Sequence, residues 1–222
     1  MNEYLLLKFL HLLAFVYWLG GDLGTFLSSR YVVRDDLSPE ARATALKIML
    51  ACDQGPKSAM PVILPLGLQM SQMTGLTTLP AWVMVVVWLL ALLWAGIVQY
   101  LFFTTNLVLK PRVAQFDFGL RIAVVLALLI YAGGALAGTG WIGATWLALK
   151  AVIFAAMVVC GLLIRVKLKP FVAAFGQLMS SGPSDEVNTA MRDALGRVRP
   201  WVWLIWAGLF VNAALGLHLL PI

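Results

Sequence analysis

The stretch His11-Leu-Leu-Ala-Phe15-Val-Tyr-Trp18-Leu-Gly20-Gly21-Asp22-Leu-Gly24 decides how this chain reads, because it sets an imidazole and a carboxylate inside an otherwise apolar helix. At membrane depth such groups need a partner, a metal or a water-filled cavity, so they mark candidate functional positions. With ~100° per residue, His11, Phe15, Trp18, Asp22, Thr25 and Ser29 share one stripe that should face protein. Gly20 and Gly24 form a small-xxx-small pair on the other side, where a second helix is expected to approach closely.

Working outward, 62% of the 222 residues are hydrophobic and 12% charged, with a mean hydropathy of +0.91. This usage lies far from that of soluble domains and predicts an all-α, polytopic membrane bundle. Lys8 interrupts the first apolar run and no small-x-small site follows, so the run reads as retained rather than cleaved. Cys52 and Cys160 sit in different segments outside any C-x-x-C, which gives no disulfide framework or zinc site.

A spanning helix needs ~20 mostly apolar residues. Segments from about Tyr4 to Ser28, Ser58 to Leu79, Ala81 to Leu109, Gly119 to Gly138, Trp141 to Ile164 and Trp201 to Ile222 qualify. The second carries Pro61, Pro65, Gly67, Gln69 and Gln72, so five spans plus a re-entrant segment is the competing count. Of the 16 lysines and arginines, all but Lys8 and Lys150 fall between segments one and two, three and four, or five and six, counting Arg121, which lies two residues inside segment four, with the third connection. The other two connections carry no charge. Under the positive-inside rule the basic loops are cytoplasmic and both termini face outward, which requires an even number of spans. Residues 1–222 thus read as one multi-pass transmembrane domain. Its basic charge serves orientation and headgroup contact, and predicts no nucleic-acid partner.

Two connections carry amphipathic helices. Ser38-Pro39-Glu40 is a helix start, Gly55-Pro56 a stop, and the segment near 38–54 has an apolar side through Leu37, Ala41, Ala45, Ile48 and Cys52. Pro183-Ser184-Asp185-Glu186 opens a second near 184–198, with its acids first and bases last as the helix dipole favours.

Depth organises the remaining polar groups. At 1.5 Å per residue His11 lies ~10 Å below Tyr4, His218 ~6 Å from Ile222, Gln72 ~10 Å from Leu79 and Lys150 ~13 Å from Trp141. Both histidines of the chain therefore fall in one outer layer together with an amide and an unpaired lysine. Neutral imidazole is a good axial ligand for haem iron. Met70 and Met73 offer two thioethers on adjacent turns, a soft set suited to copper(I), although methionine also fills irregular packing beside a kinked helix.

His11, Trp18, Gly20 and Gly21 resemble the first-helix motif of the HemJ protoporphyrinogen oxidases and the CopD-like membrane families. Trp146-Leu-Ala-Leu-Lys150 is similar to the Trp-Leu-His-x-Lys element of HemJ, with Ala148 at the place of its histidine. The resemblance implies haem b bound through His11, with Trp18 lining the cofactor and Lys150 as the functional lysine, facing a propionate or an anionic substrate. Our reading adds His218 as a second candidate iron ligand. The activities expected are electron transfer or porphyrinogen oxidation, with a porphyrin or quinone-like small molecule and the lipid bilayer as partners; a homo-oligomer is compatible with this. Two further readings stand beside it. One is a CopD-like copper-handling or transport protein using Met70, Met73 and His11, and the other is a non-catalytic assembly partner. Asp22, ~16 Å further along the first helix than His11, has a separate role. Either it accepts hydrogen bonds from neighbouring helices or pairs with Arg30 or Arg121, or it carries protons along the stripe through Thr25 and Ser29.

Overall fold

The computed structural model describes residues 3–220. They form seven helices: α1 (Glu3–Val32), α2 (Pro39–Met73), α3 (Ala81–Phe103), α4 (Leu109–Leu136), α5 (Thr145–Lys167), α6 (Lys169–Ser181) and α7 (Asp185–Gly216). Among the described residues the only β-type pairing is an isolated bridge between Thr77 and Ile142. The architecture is the expected all-α bundle. By length and composition α1, α3, α4, α5 continued into α6, and α7 can cross a membrane.

Helix α2 is too rich in proline and polar residues to join that set. It is nevertheless one continuous helix of 35 residues, and it runs antiparallel along α1. Gly21 meets Cys52 and Pro56 near one end, and Gly67 meets His11 near the other. Each later pass reverses direction again, since Trp88 pairs with Gln69, Gln99 with Ser58, Trp94 with Asp117, and Arg165 with Asp117. The second segment is thus one unbroken helix packed antiparallel on α1, beside five helices long and apolar enough to span a membrane. The two uncharged turns lie at one end, joined by Thr78 N donating to Trp141 O and Gly143 N to Leu76 O.

Two expected boundaries are wrong, for one reason. Gly55-Pro56 does not stop α2, and Pro200 does not separate an amphipathic helix from the last span, because both prolines lie inside continuous helices. Pro56 removes the bond to the Cys52 carbonyl, but that carbonyl is covered by Gly21 of α1. A Cβ on Gly21 would sit 2.7 Å from Cys52 O and 2.4 Å from Pro56 Cδ, so only a glycine allows the approach. The expected Gly20–Gly24 pair is corrected in the same way. Nothing lies within 4 Å of a Cβ on Gly20, whereas Gly21, Gly24 and Gly55 form the contact. Other boundaries shift too: α3 ends at Phe103, six residues before the expected Leu109, and α4 begins at Leu109, ten residues before the expected Gly119. Residues 221 and 222, assigned to the last span, lie outside the described residues.

The caps behave as the sequence implies. Ser38 accepts from Ala41 N and Ser184 from Val187 N. Between the passes the core is built on Trp18, Met60, Trp94, Phe154 and Leu209. At the basic end a second core joins Val32, Met49, Phe171, Leu178 and Met191. Arg42 is fully buried there, with Nε donating to Val32 O at 2.9 Å and Nη1 to Asn188 Oδ1 at 2.8 Å. Asp35 and Arg192 pair across the same junction at 2.6 Å. The two amphipathic segments are thus the first turns of α2 and α7, joined by Arg42 and Asn188, with α6 packed on α7.

Candidate functional site

Three passes bring the outer-layer groups toward one another. On α1, the His11 ring packs on Gly67 of α2, with Cε1 3.1 Å from the place a Cβ would occupy. Any side chain at position 67 would displace the imidazole. The ring approaches the Ile63 backbone carbonyl and lies within electrostatic reach of Lys150. Its Nδ1 is buried and has no hydrogen-bond partner among the described residues. A buried nitrogen left without a partner is costly, and such a group asks for an explanation.

Lys150 of α5 points at α7. Its Nζ lies 2.7 Å from the position of a Cβ on Gly216, and 5.7 Å from the Trp146 ring centre. Trp146 in turn meets His218 edge-on, with ring centres 4.9 Å apart. His218 follows the last turn of α7 in a left-handed conformation at φ 54, and its side chain is exposed. His11, Lys150, Trp146 and His218 therefore form a chain of neighbours rather than a closed cage.

The other candidates are distributed. Gln72 donates Nε2 to Leu79 O at 2.9 Å and closes the α2–α3 turn, leaving Oε1 buried and unpartnered. Trp18 belongs to the bundle core, edge-on to Phe154 at 5.8 Å. Met70 and Met73 lie in the last turns of α2, and Met73 is 44% exposed. Among the described residues no three His, Cys, Asp or Glu side chains lie close enough to share a metal ion.

Asp22 has neither of its expected partners. Arg30 stands over the Phe26 ring, and Arg121 is bound to Asp117 at 3.0 Å. The Asp22 carboxyl instead lies between Trp18, one turn earlier, and the Asp53 and Lys57 side chains of α2. Its Oδ2 is buried without a hydrogen bond, while Asp53 and Lys57 pair with each other.

Sequence reasoning missed the best-connected polar group of the bundle. Asp117 is 1% exposed. Its Oδ1 accepts from Trp94 Nε1 at 3.2 Å, and its Oδ2 from Arg121 Nε at 3.0 Å and Arg165 Nη1 at 2.8 Å. Arg121 also lies over the Trp94 ring and donates to Met60 Sδ. The spacing of Asp117 and Arg121, i and i+4, was the available signal. Asn212 was also passed over. Gly208 and Gly216, four residues to either side of it, both face α5, and Asn212 Oδ1 is buried without a partner.

The fold and this polar interior define an all-α bundle whose apolar surface suits a lipid bilayer, a multi-pass membrane protein with two internal polar layers. No family model, characterised protein or solved structure matches the chain.

Proposed function

We propose that this protein is a haem b-binding membrane oxidoreductase or electron carrier of the HemJ-like kind, oriented with both termini outward in a bacterial plasma membrane. The observation that carries the reading is the buried, unpartnered Nδ1 of His11 in the same layer as Lys150. A neutral imidazole with a free lone pair can ligate haem iron, and the absence of a Cβ at Gly67 leaves room for the ring. Among the described residues no acidic side chain pairs with Lys150, which supplies the positive charge that a propionate, or an anionic substrate, would meet. Trp146 limits its motion and links it to His218, the candidate second ligand. Haem iron, when bound, supplies reversible one-electron chemistry. The residues around it bind, orient and exclude water.

Absorption spectroscopy of protein purified from haem-replete cells tests the proposal. A Soret band with reduced α and β bands is expected, and a colourless preparation would remove it. His218→Ala then distinguishes the two ligation states: a shift to a five-coordinate spectrum supports bis-histidine ligation and electron transfer, and an unchanged spectrum leaves His11 as the only histidine ligand.

A further inference from the structure

The lipid-facing side of α1, α2 and α3 carries a hollow of about 590 Å³. Its floor is made of the small residues Ala14, Gly55 and Ala59, and its walls include Leu10, Leu66 and Trp88. Gln54 and Ser58 also line it, as does Tyr17, whose side chain is largely exposed. Gln54 and Ser58 sit one turn apart on the same face of α2. Gln54 Nε2 donates to Gln99 Oε1 at 3.1 Å, and Gln99 Nε2 donates to Ser58 Oγ at 2.8 Å. Among the described residues this chain of three leaves the Ser58 hydroxyl proton and the Gln54 side-chain oxygen without a further partner. Reversing both amides inverts the direction of the chain, yet one donor and one acceptor still remain at its ends. Hydrocarbon can satisfy neither of them.

From this geometry we propose that the groove binds a membrane-dissolved quinol. The ring hydroxyls meet Gln54 and Ser58, and the alkyl tail runs toward Leu66 and Trp88. A hydroxyl both gives and receives a hydrogen bond and so matches the two free ends of the chain. A phospholipid ester only accepts. From residue 54 to residue 66 the groove extends ~18 Å at 1.5 Å per residue, enough for a ring and the first part of a tail. The small floor residues allow a flat ring to lie against the helix backbone. This assignment stands independently of haem at His11.

Equilibrium binding of a radiolabelled decyl-hydroquinone to the full chain in phosphatidylcholine nanodiscs tests it. Saturable binding of one quinol per chain is expected. Ser58→Ala and Gln54→Leu should each weaken it about 5-fold, the value of one net hydrogen bond. Leu13→Trp, at a rim position already 36% exposed, should block the groove without disturbing the core, as unchanged circular dichroism would verify. Uptake that rises linearly with quinol and is equal in all four proteins would overturn the proposal. So would saturable binding that none of the variants alters, or a co-purifying phospholipid that Ser58→Ala releases while quinol fails to compete.

Discussion

Replacing Asp117 by alanine should be the most damaging single change in the bundle. The carboxylate holds Arg121, which is 8% exposed, and Arg165, whose side chain is 38% exposed. Removing one partner of a buried ion pair costs ~3–5 kcal/mol, because the other charge is left uncompensated. Arg165 can turn to water or headgroups, while Arg121 keeps only the Trp94 face and Met60 Sδ. The loss should therefore lie near the lower bound, ~3 kcal/mol. Equilibrium unfolding in mixed micelles, followed by circular dichroism, gives the number. Adding Arg121→Leu to Asp117→Ala removes the orphaned charge, and should recover at least half of the loss, since buried pairs are often replaceable by apolar residues. A loss below ~1 kcal/mol, or simple addition of the two single effects, would refute the reasoning.

Gly21→Ala forces a Cβ to within 2.4 Å of Pro56 Cδ, and should cost ~1–3 kcal/mol by overpacking. Gly20→Ala, with nothing within 4 Å, should stay within ~0.5 kcal/mol of wild type, and equal effects in the two melts would contradict the packing described. Asp22→Asn should leave stability unchanged or higher, because the carboxyl faces Asp53 and its Oδ2 has no donor. A fall of ~2 kcal/mol would instead reveal a partnered carboxylate. At the basic end, the Asp35 carboxyl is held below its ordinary range first by its own backbone amide and then by Arg192. A depressed value of this sort stabilises the α1–α2 turn above the ~3.9 of free aspartate, and the contribution is lost as pH falls through the folded midpoint. Carbon-detected NMR should show that midpoint rising in Arg192→Gln, and an unmoved midpoint would exclude the ion pair as a cause.

The helical class, the apolar passes and the polarity of the loops were legible because hydropathy and charge placement are local properties of the sequence. Ser38 and Ser184 were legible as caps for the same reason. What failed depended on a second helix. Pro56 ends a helix in isolation, but Gly21 brings α1 close enough to cover the carbonyl that the proline frees. Position 20 rather than 21 was read as the contact glycine, because facing depends on how α1 is rotated against its neighbours. Asp117 and Arg165 are 48 positions apart, so no spacing rule joins them. The outer layer was readable by depth alone. Depth put His11 and Lys150 together, but could not tell that Gln72 closes a turn or that Trp18 packs on Phe154.

The central claim is that His11 is a haem ligand. Haem content per chain, measured by the pyridine haemochromogen assay on wild type and His11→Ala purified side by side, tests it most directly. The account predicts stoichiometric haem in the wild type and its loss in His11→Ala, with the helical circular dichroism of the two proteins the same. Haem retained by the folded variant, or absent from the wild type, would contradict it.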